Sequence, residues 1–450
     1  MKHSTRLASA TATLALATVV IAGCTGTSTG SDDGAALDGE GRTLRVLVAA
    51  NNLYPEEQQE WFAQIADTFE QRTGATIEFE TFASANDELT KIQASVLSGQ
   101  GPDVYGLGTT FTPTAYSTGA FVELSDEEWE KVGGRDRFVP ATLGISGPSA
   151  DKQVGIPFVS RPFVMAYNTE LLAAAGIDAP ADSWDGLREQ ARKLTTDGVY
   201  GMSVGYADTY DSYKFIWAMS MQAGTSFVAD GTAQIDHPAV LDAFETYYGW
   251  LADDGIVDPA AVGWNNSQAL ANFAEGRAAF MPMTSAVSMN TLRDSVVVDS
   301  YEYALMPTIP PGASSLPSKG VGASSILSGD NLVVASYSQN KDLAFAYIEL
   351  VTSVDEQLNY FEVFGELPTN AEAAAELQAS NDSLAPMVES GGRSVATPFT
   401  GAWSEIQLAL SNVTVQMIPA LSSGSVTGDE IAARVAEAQA TAQDALDRVK

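Results

Sequence analysis

The sequence predicts an α/β fold, and the observation that predicts it is a regular alternation of two hydrophobic patterns. Short apolar runs with β-branched residues have the length of buried strands, and between them apolar residues recur at helical spacing. The chain of 450 residues is 45% hydrophobic and only 18% charged, so it can bury a substantial core. Its length corresponds to two or three domains.

The first part of the chain reads strand, helix, strand, helix, strand. Residues 44–49 form a short apolar run, and Pro55 suits the first turn of a helix that Gly74 ends. Ile77 and Phe79 alternate as in a strand. The elements that follow are a helix marked by Leu89, Ile92 and Val96 and a strand at 104–107. This order favours a parallel sheet with crossover helices.

The same alternation continues to the end of the chain. Strands are predicted at 164–167, 201–205 and 332–335, and helices at 184–194, 239–252, 342–351 and 431–446. No period of 20 to 50 residues is present in the sequence, which argues against a solenoid. The segment 309–322 is rich in Pro, Gly and Ser and is the clearest internal loop.

The N-terminus has the layout of an export signal. Lys2, His3 and Arg6 precede an uncharged stretch at 7–22, which is too short for a membrane-spanning helix. Ile21-Ala22-Gly23-Cys24 resembles a bacterial lipobox, and Cys24 is the only cysteine. That resemblance implies a signal peptide at 1–23 and a lipid on Cys24. The small and polar residues of 24–42 then suit a flexible tether. An ordinary signal peptide with an incidental cysteine is the alternative.

The charge excludes some classes of partner. Without residues 1–23 the chain has 57 acidic and 21 basic side chains, and such a surface disfavours nucleic acid and anionic lipid. A neutral ligand meets no long-range penalty.

Catalytic motifs are weakly represented. Gly201-Met202-Ser203-Val204-Gly205 matches the nucleophile pattern GxSxG, but His237 is the only histidine after the signal and lies too close to Ser203 for the usual triad order. We therefore read the motif as a buried strand. No usual zinc set and no phosphate-binding glycine loop is present, so no cofactor is predicted. A calcium site among scattered aspartates and a carboxylate pair for glycoside hydrolysis stay open.

Several segments in order resemble the extracellular solute-binding proteins of ABC sugar importers, the maltose-binding-protein-like group. They are "SGQGPDV" at 98–104, "VGIPFVSRPFVMAYNTELL" at 154–172, "SWDGLREQARKLT" at 183–195, "NFAEGRAAFMPMTS" at 272–285, "ELPT" at 366–369 and "AWSEIQLAL" at 402–410. The resemblance implies a two-lobe periplasmic-binding-protein-like (type II) fold with a hinge and an interlobe cleft. It implies lobe one at 43–158 with 310–365, and lobe two at 159–309 with 366–450.

The resemblance also implies a set of cleft residues. Carried over by motif, the expected ligand-binding residues are Asn51, Asn52, Asp87, Thr109, Thr110, Arg161, Asp211, Ser212, Trp217, Trp264, Met283, Thr284 and Trp403. An indole face can stack on a sugar ring, although core packing is the alternative for each tryptophan. Where sugar binders of the family often have a charged pair, this chain has Asn51 and Asn52.

The expected function is that of a receptor without catalysis. The resemblance implies a carbohydrate ligand, the permease subunits of an ABC importer as partners, and a monomer anchored through Cys24 on the outer face of the cell membrane. An anchored binder of a peptide or polyamine is the second hypothesis, since the chain is strongly acidic. An extracellular enzyme acting on glycans is the third.

Overall fold

The computed structural model describes residues 37–83, 85–149, 151–196 and 198–449. It has the mixed α/β composition that the sequence predicts. The predicted signal peptide and Cys24 lie outside the described residues, as does most of the predicted tether. Within the described ranges, no helix is both long enough and apolar enough to cross a bilayer.

The strands of the structure are β1 (Thr43–Ala49), β2 (Thr76–Phe82), β3 (Val104–Gly108), β4 (Gly155–Ser160), β5 (Val164–Asn168), β6 (Tyr200–Met202), β7 (Val228–Ala229), β8 (Thr232–Ala233), β9 (Ala278–Thr284), β10 (Tyr301–Ala304), β11 (Gly329–Val334) and β12 (Leu367–Pro368).

The helices are α1 (Pro55–Thr73), α2 (Ala85–Ser98), α3 (Thr112–Ser117), α4 (Asp126–Glu130), α5 (Thr169–Ala174), α6 (Trp184–Leu194), α7 (Thr209–Gln222), α8 (Pro238–Ala252), α9 (Asn266–Ala274), α10 (Ser288–Arg293), α11 (Lys341–Val351), α12 (Val354–Phe364), α13 (Ala371–Ser380), α14 (Ala385–Arg393), α15 (Trp403–Ser423) and α16 (Gly428–Arg448). The described ranges also contain short 3₁₀ segments at Arg135–Arg137, Pro140–Thr142, Pro259–Gly263 and Asp382–Leu384.

The strands form two main sheets, one in each lobe. The larger sheet has the order β12-β4-β11-β3-β1-β2, and the smaller has the order β10-β5-β9-β6. In the larger sheet β1 pairs in parallel with both β2 and β3, as the alternating pattern predicts. Antiparallel pairing then joins β3 to β11 and β11 to β4. The two mixed sheets with helices packed on them confirm the predicted α/β class.

Each sheet packs on its own set of helices. In lobe one, Leu44, Val46 and Val104 from the sheet lie in one core with Trp61 of α1 and Ile348 of α11. In lobe two, α15 and α16 pack on each other and on α8, and this core includes the fully buried side chains of Trp184, Trp217, Trp250 and Trp403.

The strands of the chain switch between the two sheets at two places. It leaves the larger sheet after Ser160 and enters the smaller one at Val164. It returns between Ala304 and Gly329, a stretch that contains the proline-rich loop. Beyond Gly365, β12 still pairs with β4 in the larger sheet. This pairing differs from the prediction that lobe two resumes at residue 366, because two residues of extended chain already complete the edge of the larger sheet.

Candidate ligand-binding site

A cavity of about 710 Å³ lies where the ends of strands from both sheets meet. The larger sheet contributes the ends of β1 and β3, including Ala49 and Gly108. The smaller sheet contributes the end of β9 from Met281 to Thr284. Ligands of open α/β sheets bind beyond the carboxyl ends of their strands, which is where this cavity lies. Its volume suits a ligand of one to several rings.

Aromatic side chains form one wall of the cavity. The rings of Trp61 and Tyr360 lie 5.1 Å apart, edge to face, and Tyr360 lies 4.9 Å from Phe158 and 4.5 Å from Phe364. Tyr360 is partly exposed, whereas Trp61, Phe158 and Phe364 are buried. The wall therefore offers an apolar aromatic surface, and helices α1 and α12 hold it in place.

An ionic cluster forms the floor of the cavity. The Arg161 guanidinium donates from Nε to Glu366 Oε1 at 2.6 Å and from Nη1 to Asp330 Oδ1 at 3.3 Å. Its Nη2 donates to the second oxygen of Asp330. The three residues lie between β4 and β5, at the start of β11 and just before β12. The cluster therefore joins three segments of the chain that are far apart in sequence.

Two carboxyl groups of the cavity lining are incompletely paired. Among the described residues, no hydrogen-bond partner lies near Glu88 Oε1 or Glu366 Oε2, and both residues are buried. Burial, together with the charge of Asp330, raises the pKa of the Glu88 carboxyl well above its usual value. Burial also raises the pKa of Glu366, against the opposing effect of Arg161. Buried oxygens without partners are costly when the carboxyl is ionised, and this is why burial favours the protonated form of both groups.

The two lobes touch on both sides of the cleft. On one side the Tyr54 hydroxyl donates to the Val287 carbonyl at 3.4 Å. On the other side the hydroxyls of Thr114 and Ser404 lie 2.9 Å apart. The ring of Tyr116 also meets that of Phe399 edge to face, with centroids 5.5 Å apart. These contacts hold the lobes together around the cavity.

Five residues that the sequence analysis expected in the cleft line this cavity: Asn51, Asn52, Arg161, Met283 and Thr284. The Asn51 side chain accepts hydrogen bonds from the backbone N–H groups of Leu53 and Tyr54, so it shapes the turn after β1. Met283 has a φ of 57°, a left-handed conformation that is rare for methionine. Such strain is often found at functional sites.

Other expected residues lie away from the cavity lining. Asp87 accepts from the Ala83 backbone N–H at 3.2 Å, and the Thr109 hydroxyl donates to the Leu327 carbonyl at 3.2 Å. Ser212 is buried in α7, whereas Thr110 and Trp264 are partly exposed. The side chain of Asp211 lies outside what the structure describes.

Trp217 and Trp403 lie in the hydrophobic core of lobe two. Their exposed fractions are 1% and 0%, and neither side chain lines the cavity. In this conformation no indole face of either residue is open to a ligand. The apolar neighbours of Trp217 in the sequence indicated this placement, whereas the loop before Trp403 did not.

No local pattern in the sequence indicated the carboxylates of the floor or the aromatic wall. Asp330 and Glu366 are separated from Arg161 by 169 and 205 residues, so no local spacing connects them. Glu366 lies within the segment "ELPT", which indicated the family but did not indicate a carboxylate in the cavity. Trp61 and Tyr360 occur at the spacing of core residues on their helices, so the sequence pattern predicts burial for them and does not distinguish them as residues of the cavity lining.

The GxSxG serine has a structural environment. Ser203 is 1% exposed, and its hydroxyl donates to the Ala269 carbonyl at 2.8 Å. His237 caps α8, where its Nδ1 accepts from the Ala239 backbone N–H at 3.2 Å. Neither side chain lines the cavity. The motif is buried as predicted, but only Gly201 and Met202 of it lie in a strand, because β6 ends at Met202.

The chain is similar in sequence to known binding proteins. The model of the bacterial extracellular solute-binding protein family matches residues 55–358. The diacetylchitobiose binding protein of Streptomyces coelicolor is 26% identical over 400 residues, which is 86% of this chain and 88% of that protein.

Solved structures share the fold. A solute-binding protein of Agrobacterium radiobacter K84, in complex with ribitol, aligns with a TM-score of 0.73 at 21% identity, over 90% of this chain and 99% of the other. The GacH receptor of Streptomyces glaucescens, solved unliganded and with acarbose, aligns with a TM-score of 0.72 at 20% identity, over 92% and 100%. The chain therefore belongs to the bacterial extracellular solute-binding protein family, as the solute-binding component of an ABC transporter.

Proposed function

We propose that this protein is a lipid-anchored carbohydrate receptor that delivers a mono- or oligosaccharide to the permease of an ABC importer. The observation that carries the proposal is the cavity, which combines an aromatic wall around Tyr360 with a polar floor around Arg161. An aromatic face packs on the C–H face of a sugar ring, while carboxylates and amides accept hydrogen bonds from its hydroxyls. The sugar-bound relatives support the same ligand class.

The mechanism is binding without chemistry. A ligand in the cavity contacts Asn51 and Asn52 from lobe one and Met283 and Thr284 from lobe two, so it stabilises the closed arrangement of the lobes. The permease then distinguishes the closed, loaded receptor from the open, empty one. The Tyr54–Val287 and Thr114–Ser404 contacts support such a closed state.

A thermal-shift panel tests the ligand class. Neutral sugars should raise the melting temperature of the purified protein, since a ligand that binds only the native state stabilises it by mass action. Polyamines and short peptides should leave it unchanged. Stabilisation by a polyamine alone would favour the second hypothesis, an anchored receptor for a cationic solute. Product analysis after long incubation with oligosaccharides tests the enzymatic hypothesis, which any turnover would support.

The anchor is tested through Cys24. We expect Cys24→Ser to release the folded protein from the membrane fraction of cells that express the full chain. Recovery of the processed variant in the membrane fraction would contradict the lipobox interpretation. Export and cleavage before Cys24 would also place the protein on the outer face of the membrane. Protease added to intact cells should then degrade it.

A further inference from the structure

Strand β9 contains a β-bulge at the edge of the cavity. Two residues of β5 that are two positions apart, Val164 and Ala166, pair with residues of β9. Those partners, Thr284 and Met281, are three positions apart, so β9 contains one extra residue. Pro282 lies within this stretch, and a proline in a strand that has neighbours on both sides is tolerated at a bulge because it has no N–H to donate.

The extra residue changes the face of the sheet on which the side chains lie. In a regular strand Met281 and Met283 would lie on the same face, since side chains alternate. Here Met281 packs in the core cluster that contains Val164, whereas Met283 packs in the one that contains Phe280. Thr284 shares the face of Met281, and both line the cavity. Without the bulge, Thr284 would lie on the same face as Phe280, which points into the core.

The thioether of Met306 contacts the backbone of the bulge. Met283 has a φ of 57°, and its N–H donates to Met306 Sδ at 3.3 Å. In the described part of the chain, neither β5 nor β6 pairs with Met283, and a buried N–H without a partner is costly. Methionine sulfur is a weak acceptor, and here it replaces the missing partner in the sheet. Met306 follows β10, is 1% exposed and does not line the cavity.

We propose that Met306 is a positioning residue for ligand binding: its thioether stabilises the bulge at Met283, and the bulge directs the Thr284 side chain into the cavity. This inference rests on the proposed ligand-binding role of the cavity and adds a residue that does not touch the ligand. A regular β9 would turn the Thr284 hydroxyl to the opposite face of the sheet. The loss of one neutral hydrogen bond to a ligand lowers affinity about three- to tenfold.

Cysteine labelling tests the placement of Thr284 without a ligand. In a Cys24→Ser background, the cysteine introduced by Thr284→Cys is the only thiol of the protein. We expect it to react with a small methanethiosulfonate reagent at least about tenfold faster than the cysteine introduced by Ser203→Cys, since position 203 is 1% exposed. Ser267→Cys, on the exposed part of the cavity lining, is the accessible control.

A substitution of Met306 tests what holds the bulge. Met306→Leu removes the acceptor and keeps a side chain of similar volume. We expect it to slow the labelling of the Thr284→Cys protein about tenfold or more and to leave that of the Ser267→Cys protein unchanged. The matched control is Met417→Leu, which changes another fully buried methionine and should leave both rates unchanged.

A double-mutant cycle separates positioning from a general loss of structure. Calorimetric titration with diacetylchitobiose measures the affinity of the wild type, Met306→Leu, Thr284→Val and the double variant. Met306→Leu should lower the affinity about three- to tenfold when Thr284 is present, but less than about twofold in the Thr284→Val protein, because the hydroxyl that Met306 positions is then absent. A merely structural effect would be equal in both backgrounds.

The outcomes distinguish this inference from the proposed function. The inference is overturned if the Thr284→Cys thiol reacts as slowly as the Ser203→Cys thiol, or if Met306→Leu leaves its rate unchanged. Equal losses of affinity in the two backgrounds of the cycle would also overturn it. Failure of every sugar to bind, diacetylchitobiose included, would contradict the carbohydrate function, whereas the labelling rates would still confirm or overturn the role of Met306.

Discussion

The indole rings of Trp217 and Trp403 meet edge to face in the core of lobe two, with centroids 6.4 Å apart and planes at 68°. Tyr213 contacts Trp403 at the same centroid distance of 6.4 Å. Trp403 begins α15 and has no exposed surface. Trp403, which the family resemblance placed among the ligand-binding residues, thus contributes an aromatic anchor between α7 and α15.

We therefore expect Trp403→Ala to lower the free energy of unfolding by about 3 to 5 kcal/mol, because it leaves a large cavity in a close-packed core. Denaturant titration followed by circular dichroism measures this loss. Leu408→Ala on the same helix is the control, since Leu408 is 45% exposed and its loss should cost about 0.5 kcal/mol or less. Unchanged stability with lost sugar binding would restore Trp403 as a ligand residue.

A substitution of Gly365 should change both stability and ligand affinity. Its φ is 71°, and a Cβ there would lie 2.9 Å from both the Ala286 oxygen and the Val287 Cα. We expect Gly365→Ala to destabilise the protein and to push α12 away from the segment that contacts Tyr54. The second effect should weaken ligand affinity, because the lobes can no longer approach as closely.

Gly424 provides a matched control for this substitution. It also ends a helix, with a φ of 65°, but no atom lies within 4 Å of a Cβ built there. Gly424→Ala should cost only the left-handed strain of about 1 to 2 kcal/mol and leave ligand affinity unchanged. Equal effects of the two substitutions on affinity would show that the contact at Ala286 and Val287 does not matter.

The buried Glu88 carboxyl predicts a pH-dependent effect. Its pKa in the folded protein is raised above the usual value of 4.5, so the folded state binds the proton more tightly than the unfolded state does. The stability that this provides is present below about pH 4.5 and is lost as the pH rises through the raised pKa. Glu88→Gln cannot ionise, so its stability relative to the wild type should increase as the pH rises from 4 towards neutrality.

Thermal melts of both proteins across this pH range check the prediction. Glu57→Gln is the control, because Glu57 is also an acid in the first turn of a helix but is exposed. Its stability relative to the wild type should change little over the same range. A Glu88→Gln variant whose stability relative to the wild type falls as the pH rises would have the opposite sign and contradict the account of this group.

The ionic cluster predicts that the protein loses stability when the Arg161 guanidinium is replaced. A lysine has one ammonium in place of the planar guanidinium and cannot repeat the hydrogen bonds to both Asp330 and Glu366. Arg161→Lys should therefore destabilise the protein by about 2 to 3 kcal/mol, since one buried or half-buried carboxylate loses its partner.

Denaturant titration measures this difference, with Arg293→Lys as the exposed control. Among the residues that the structure describes, the exposed Arg293 donates one hydrogen bond, to Asn290 three residues away, so we expect a change of about 0.5 kcal/mol or less. Full stability in Arg161→Lys would show that the cluster does not hold its three segments together.

Local patterns were sufficient to predict much of the fold. Apolar runs at 44–49 and 104–107 became adjacent parallel strands, and Pro55 and Gly74 lie where α1 begins and ends. These features depend on residues close in sequence, since strand propensity and helix capping act over a few positions. The ordered segments from 98 to 410 indicated the family, and the comparisons confirm it.

The sequence by itself thus determined the α/β class and indicated the family, and the family resemblance led to the prediction that Arg161 and Asn51 lie in the cleft. Only the tertiary structure decided which carboxylates pair with Arg161, because Asp330 and Glu366 reach it from segments more than 160 residues away. It also decided that Trp403 is buried and that Tyr360 lines the cavity. The physical reason is that burial depends on what the other elements of a fold cover, and neighbours in sequence do not reveal this.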